Sequence, residues 1–200
     1  MNFVEEKNIT GHLVISKRYA SGEEEVVLDD SNIIVSGMGV SLSYFFTASG
    51  SESVLDHQIG RFQVGVSGPP AGGVVSSINQ LSGSLTSIDE YGEGSNLLIT
   101  IDNQLVNGNI VTDQIFANIP ASKITRIGDT SVRYTLVIDE EACNGLQRAS
   151  VDAPISEVGL FTNNPSGAGK AAPLLVAYRT FSNIYKTSDF SLIFRWTLNF

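Results

Sequence analysis

The C-terminal segment of the sequence alternates strictly between large apolar side chains and mostly polar ones. Its even-numbered positions are all large and apolar: Phe190, Leu192, Phe194, Trp196, Leu198 and Phe200. Its odd-numbered positions carry polar side chains with Ile193 as the exception: Ser191, Arg195, Thr197 and Asn199. A period of two puts each side-chain type on its own face of an extended chain. The segment is therefore predicted to be a half-buried strand running to residue 200, paired in a sheet because a free strand would fray.

Strand-forming patterns recur along most of the chain. Alternation is clear at 62–66 and 132–138, while 96–101 and 174–181 are denser in apolar β-forming residues. Shorter strands are predicted at 11–16, 25–28, 32–35, 111–117 and 158–162. Turn-forming residues separate them, for example at 29–31, 107–109 and 144–145. Many short strands divided by such turns predict an all-β, mainly antiparallel fold, a β-sandwich or jelly-roll-like domain.

One segment, from Met38 to Ala48, has a helical rather than an extended pattern. Its apolar residues recur at spacings of three and four: Met38, Leu42, Phe45 and Phe46. Ser36 can cap the start and Gly50 can end the helix. We expect one short amphipathic helix that covers an open end or face of the sheet.

Length and composition predict a single domain over residues 1–200. The 200 residues, 42% of them hydrophobic, suffice for one substantial core. The segment 68–94 is rich in Gly, Ser and Pro and is predicted to be a long loop excursion carrying a partner contact. A linker between two subdomains is the alternative. Cys143 is the only cysteine, so an intramolecular disulfide framework is excluded.

The charge balance argues against a nucleic-acid partner. The formal net charge is −9, and the 12 Lys and Arg residues are scattered rather than clustered, whereas phosphate binding needs clustered cations. No apolar run approaches the ~18 residues of a membrane span, and the N-terminus lacks the features of a secretory signal. We expect a soluble protein made in a cytoplasm, with no membrane partner.

Two glycine-rich stretches fall short of cofactor-binding motifs. Gly37-Met38-Gly39 has the context of a dinucleotide loop, but Leu42 stands where the third small residue belongs. In the stretch ending Gly169-Lys170, Asn164 replaces the first glycine of a phosphate loop and Ala171 cannot supply the hydroxyl for Mg²⁺. No cofactor is predicted.

Metal-binding and catalytic patterns are also missing from the sequence. His12, His57 and Cys143 are too few to make a zinc site by themselves. The acidic groups at 29–30, 89–90 and 139–141 would suit calcium, but they lack the spacing of an EF-hand and are interpreted as surface turns. No nucleophile elbow occurs. A non-enzymatic protein without metal or catalytic residues is predicted.

Three groups of residues carry a resemblance to a known family. The first is the run at 32–37 leading into the helix, followed by 59–65; the second is Cys143-Asn144-Gly145 ahead of 155–161. The third is 174–181, then Lys186, then the terminal strand. In this order the elements resemble small structural proteins of tailed-bacteriophage virions, of the tail, baseplate or neck. The resemblance runs from about Gly11 onward and leaves out 68–111.

The resemblance implies a virion protein, made in the cytoplasm of a bacterial host, that builds or joins the tail, baseplate or neck. Its partners would be other virion proteins. The candidate structural motif comprises Glu157, Gly159, Leu160, Phe161, Arg179, Lys186 and Trp196. Because open sheet edges must be covered, we also expect a symmetric homo-oligomer, a trimer or a six-fold ring.

Two pairwise hypotheses concern this motif. If the strands containing Glu157 and Arg179 pair, their charges could meet. Gly159 would then be a position that a neighbouring backbone or aromatic ring approaches closely.

Two other functions fit the same fold class. A capsid decoration or head-fibre protein would differ from a tail component in copy number per particle. A carbohydrate-binding sandwich would use aromatic platforms, for which Tyr91, Tyr178 and Tyr185 are candidates.

Overall fold

The computed structural model describes ten stretches of the chain: residues 9–34, 36–47, 57–65, 98–99, 117–141, 143–145, 147–148, 151–152, 154–163 and 175–200. Strands dominate these stretches, and their pairing is antiparallel throughout. The predicted all-β, sandwich-like fold class with one short helix is confirmed. The predicted excursion at 68–94, the turn at 107–109 and Tyr91 lie outside the described residues.

The described elements are a helix, α1 (Ser36–Thr47), a 3-10 turn at Ala121–Lys123 and the following strands. They are β1 (Thr10–Tyr19), β2 (Glu24–Ile34), β3 (Ile59–Gly65), β4 (Leu98–Ile99), β5 (Ala117–Asn118), β6 (Ile124–Arg126), β7 (Ser131–Ile138), β8 (Gln147–Arg148), β9 (Val151–Asp152), β10 (Ile155–Thr162), β11 (Leu175–Ile184) and β12 (Phe190–Asn199). β8 and β9 pair only with each other among these strands.

Two sheets share the long strand β2. The first sheet has the order β2-β1-β12-β7-β6, and the second has the order β4-β3-β10-β11-β2, with β5 also pairing β3. β2 pairs β1 from Glu24 to Asn32, and it pairs β11 only through Ile33 and Ile34. One strand therefore passes from one layer into the other, which ties the two sheets together at a corner.

A single hydrophobic core lies between the sheets. Leu13 and Ile15 enter it from the first sheet, and Val64 and Leu160 from the second. The alternation predicted for the C-terminal strand is confirmed, since its apolar positions from Phe190 to Leu198 are all buried in β12. β12 ends at Asn199, one residue before the predicted end, and the Phe200 amide is still held by a hydrogen bond to the Thr130 carbonyl at 2.9 Å.

The acidic turn predicted at 29–31 is also wrong, because β2 runs through it without interruption. The Asp29 carboxylate lies 2.8 Å from His12 Nε2 on β1, and Asp30 forms an ion pair with Arg179 on β11. Partners on neighbouring strands therefore hold both carboxylates in an extended backbone. Aspartate usually favours turns, but here the cross-strand partners of Asp29 and Asp30 stabilise the strand instead.

The predicted helix is confirmed, and its first turn packs closely against β11. A side chain at Gly37 would collide with the Leu175 carbonyl oxygen, so the close approach requires glycine. Met38 is buried in the core, and the Ser41 hydroxyl donates to the His57 carbonyl at 2.8 Å. The second half of the helix differs from an ordinary amphipathic one, because Phe46 is 82% exposed.

Candidate interaction surfaces

The seven residues of the candidate motif are distributed over three strands and a loop. Glu157, Gly159, Leu160 and Phe161 lie on β10, Arg179 on β11, Lys186 after β11 and Trp196 on β12. All are buried except Arg179, which is partly exposed. The motif is thus mainly a set of packing and anchoring positions, and it forms no common surface that a partner could contact.

The predicted contact between Glu157 and Arg179 is wrong, although their strands do pair. In the ladder of β10 and β11, Glu157 lies opposite Thr180, and Arg179 lies opposite Val158. Successive side chains point to opposite faces of a sheet, so the two charges are separated by the sheet itself. Glu157 accepts a hydrogen bond from the Tyr178 hydroxyl, and Arg179 reaches β2. If the register of β10 and β11 were shifted by one residue, Glu157 and Arg179 would lie opposite each other.

The close approach predicted at Gly159 is confirmed. A Cβ atom there would lie 2.8 Å from Leu175 Cδ1 and 3.0 Å from the ring of Phe161. The Leu175 side chain from the neighbouring strand β11 and the Phe161 side chain from β10 itself thus occupy the space beside Gly159. A larger residue at position 159 would therefore force the Leu175 and Phe161 side chains to shift.

Lys186 anchors the turn that follows β7. It is almost fully buried, and its ammonium donates to Asn144 Oδ1 at 3.0 Å, to the Thr187 carbonyl at 2.7 Å and to the Glu140 carbonyl at 3.5 Å. The Gly145 amide donates back to the Lys186 carbonyl. Burial lowers the pKa of the Lys186 ammonium, and nearby acidic groups oppose that effect.

The same turn contains an unusual backbone conformation. Cys143 is buried with a φ of 58°, a left-handed conformation that costs a non-glycine residue about 1–2 kcal/mol. Surrounding contacts must hold such a residue in place. The hydrogen bonds that join Lys186 to Glu140, Asn144 and Gly145, on either side of Cys143, supply that restraint.

A three-strand polar network lies on the outer face of the first sheet. The Arg195 guanidinium on β12 holds both carboxylate oxygens of Glu24 on β2, and it also donates to Ser16 Oγ on β1 at 2.8 Å. Ser16 in turn donates to Glu24. The hydrogen bonds from Arg195 and Ser16 lower the pKa of the Glu24 carboxyl to about 2 from its ordinary 4.5.

We expect this network to make the protein more stable at neutral pH than in acid. Because the folded-state pKa of Glu24 lies below the unfolded value, its contribution is present above pH 4.5 and disappears as the pH falls towards 2. Arg195 and Glu24 are each about one-third exposed, so we expect their ion pair to add only about 1 kcal/mol to the free energy of unfolding. Urea unfolding of Glu24→Gln between pH 7 and pH 2.5 should show a smaller loss of stability than the parent chain.

Glu23→Gln is the matched control for that measurement, since Glu23 is exposed and forms no ion pair with any described residue. This variant should keep the acid dependence of the parent. An unchanged dependence in Glu24→Gln would contradict the role of the network.

Four large apolar side chains are exposed around α1, and we call this group, three of whose members are aromatic, the aromatic patch: Val40, Tyr44, Phe45 and Phe46. Phe46 is 82% exposed, and the other three are between 37% and 43% exposed. Tyr44 stacks on the buried His57 ring at a centroid distance of 4.7 Å, which fixes one side of the patch. Clustered exposed aromatic side chains are typical of protein interaction sites.

A second surface feature is a groove of about 340 Å³ between β2 and β11, which we call the β2–β11 groove. Its apolar lining comes from both strands: Val27, Leu28, Phe181 and Ile184. Lys17 and Tyr185 lie at its rim. The groove is open because the two strands pair only at their junction and diverge from there.

A third feature is an acidic pocket of about 550 Å³ beside the β1–β2 hairpin, lined by Tyr19, Ala20, Ser21, Glu23, Glu25 and Asp189. The hairpin turns at Gly22, whose φ of 87° favours glycine. Tyr19 donates to Glu25 Oε2 at 2.7 Å, which lowers the pKa of the Glu25 carboxyl. Three carboxylates, those of Glu23, Glu25 and Asp189, line this shallow surface.

The described part of the chain lacks two other kinds of feature, a metal cluster and a membrane-spanning helix. It contains no group of three or more His, Cys, Asp or Glu side chains placed to hold a metal ion. No helix in it is long and apolar enough to cross a membrane. Of the candidate sugar platforms, Tyr178 is fully buried and cannot offer its ring, whereas Tyr185 is 59% exposed.

Comparison with protein-family models, with curated proteins and with solved structures finds no significant match to this chain. The class that can be stated is the one that the fold defines, an all-β, sandwich-like protein with one helix. What such a protein does must be argued from its surfaces, because sandwiches serve many functions.

Proposed function

We propose that this chain is a non-enzymatic structural protein of a tailed-phage virion, which builds or joins the tail, baseplate or neck through protein–protein contacts. The observation that carries the proposal is the aromatic patch on α1. A patch of this kind, fixed to a rigid sheet by Gly37 and Met38, suits a protein whose work is assembly.

We further propose that the patch binds a second copy of the chain, giving the symmetric homo-oligomer expected from the sequence. Each copy has a net charge of −9, so two copies repel each other over most of their surface. Helix α1 contains no charged residue at all. Two copies can therefore meet at α1 without opposing carboxylates, and Phe46 would be the central contact because aromatic residues dominate such interfaces.

Sedimentation velocity at micromolar concentration tests the oligomer. The parent chain should sediment as a trimer or a six-fold ring, and Phe46→Ser should sediment mainly as monomer. Ile127→Ser is the matched control, because Ile127 is 44% exposed at the distant β6–β7 connection. A monomeric parent, or an oligomer unaffected by Phe46→Ser, would contradict a role for α1 in self-association.

The virion role needs a separate test. Antibody raised against the chain should label the tail, baseplate or neck of purified particles of a phage that encodes it. Labelling of the head would favour the decoration or head-fibre alternative. Particles that contain none of the chain by mass spectrometry would refute a structural role in the virion.

A further inference from the structure

The β2–β11 groove is bounded by two strands that lack a partner on the sides facing it. β2 meets β11 only at Ile33 and Ile34, and β11 pairs back only through Ala177 and Tyr178. Beyond that junction, residues 26–31 of β2 and 180–183 of β11 have no other described strand on those sides. Within the described stretches these two edges therefore have the backbone groups of an open sheet edge, which an added strand can pair with.

The apex of the groove is held closed by an ion pair between its two walls. Arg179 on β11 reaches Asp30 on β2, just beyond the last paired residues. The Arg179 charge and a backbone hydrogen bond from Ser31 lower the pKa of the Asp30 carboxyl, with Ser31 the larger influence. The walls are thus joined at one end and open at the other.

The floor of the groove is the edge of the hydrophobic core. Phe181 and Ile184 belong to the core, and Val27 and Leu28 pack against it. A bulge in the pairing of β1 with β2 lies at this point, since Ile15 faces Leu28 while the next residue, Ser16, faces Val26. The extra residue, Val27, lets two consecutive apolar side chains line the groove. Apolar side chains of a bound segment would bury further apolar surface there.

The acidic pocket continues the groove at its open end. Glu25 lines the pocket and lies 3.6 Å from Lys17, which lines the groove. Lys17 is already paired with Glu25, whereas Glu23 and Asp189 in the same pocket form no ion pair with a described cation, although the Asp189 charge acts on Lys186. A segment leaving the groove would therefore pass carboxylates that favour a positive charge.

We infer that the β2–β11 groove receives an extended, basic segment of a different protein, which places apolar side chains on the core edge and lysine or arginine in the acidic pocket. The backbone edges favour an extended strand, in the manner of strand addition. Charge complementarity favours a basic partner over a second copy, because each copy is itself acidic. This site is distinct from α1 and does not depend on the oligomer proposed above.

Fluorescence anisotropy with a synthetic peptide tests the inference on the full chain. The probe is a labelled peptide of about ten residues in which valine alternates with serine, ending in two lysines. It should bind with micromolar affinity, more weakly as salt is raised, and a peptide ending in two glutamates should bind at least about tenfold more weakly.

Two variants test whether the peptide binds in the groove and in the acidic pocket. Ser182→Trp fills the groove from an exposed position, and the double variant Glu23→Lys, Asp189→Lys reverses the pocket charge. Each should weaken binding of the basic peptide about tenfold. The controls are Thr130→Trp and Asp129→Lys, exposed positions on the β6–β7 turn, which should leave binding unchanged.

Absence of binding, equal binding of the two peptides, or binding unaffected by Ser182→Trp would overturn the inference. Loss of self-association in Ser182→Trp would assign the groove to a second copy and would also overturn it. Phe46→Ser should bind the peptide normally, so a failure at α1 is distinguishable from a failure at the groove.

Discussion

Trp196→Ala is expected to lower the free energy of unfolding by about 3–5 kcal/mol, the largest effect of any single substitution considered for this chain. Trp196 is fully buried in β12, with Leu13 of β1 and Tyr134 of β7 opposite it. Removing the indole leaves a cavity at the centre of three strands. Urea denaturation followed by far-ultraviolet circular dichroism measures the loss.

Trp196→Phe is the informative control for this prediction. The indole Nε1 has no hydrogen-bond partner among the described residues, so phenylalanine removes volume without removing a hydrogen bond. We expect a loss of about 1–2 kcal/mol, well below that of alanine. Should the alanine variant be unfolded from the start, the phenylalanine variant still gives a measurable value. Equal losses for the two variants would contradict a cavity as the cause.

Lys186→Met is expected to cost about 2–4 kcal/mol, the second largest effect. The substitution removes the charged donor from the Thr187 carbonyl and the Asn144 amide oxygen in a partly buried setting, while the Glu140 carbonyl keeps its hydrogen bond from Asn144 Nδ2 at 2.6 Å. Methionine carries no charge, so the variant no longer has the cost of burying the Lys186 ammonium, and this offsets part of the loss of stability. Besides the shift in urea denaturation, hydrogen exchange of the Gly145 amide should speed up, because that amide donates to Lys186.

Lys123→Met controls for the loss of a positive charge, since Lys123 is exposed in the 3-10 turn. Its stability should stay within about 0.5 kcal/mol of the parent. If Lys186→Met loses no more stability than Lys123→Met, Lys186 does not anchor the turn that follows β7.

Part of the fold could be predicted from local pattern where a strand buries one face and exposes the other, as β7 does, whereas β10 is buried on both faces. The period-two alternation of β12 and β7 matches their buried positions, and the spacing of apolar residues locates α1. These signals depend only on residues near each other in sequence. For the same reason they mark the existence of an element better than its ends, as β10 shows by beginning at Ile155 rather than Val158.

The continuity of β2 could not be predicted, because its cause is distant in sequence. Asp29 and Asp30 form a good turn signal locally, yet His12 and Arg179 stabilise them in a strand. The separation of Glu157 from Arg179 has the same origin, since strand register is set by many contacts across the ladder.

The candidate surfaces follow from tertiary structure in a similar way. The residues of α1 predict a helix, but only the packed structure leaves Phe46 outside the core. Val27 and Ile184 are ordinary strand residues in the sequence; they become a groove because β2 crosses between layers and diverges from β11. Lys186 belongs to the motif predicted from the sequence, whereas its contact with Asn144, 42 residues earlier, has no local sequence signal.

The position of β12 between β1 and β7 has a consequence for how the chain is made. Ser16 and Arg195, whose side chains meet across this pairing, are 179 positions apart. Until β12 is synthesised, the hairpin of β1 and β2 emerges from the ribosome with an open edge and an uncovered apolar face. Folding of the first sheet must therefore wait until β12 has been synthesised, and such non-local pairing is slow and prone to aggregation. A nascent chain stalled before residue 190 is expected to need a chaperone that the finished protein does not.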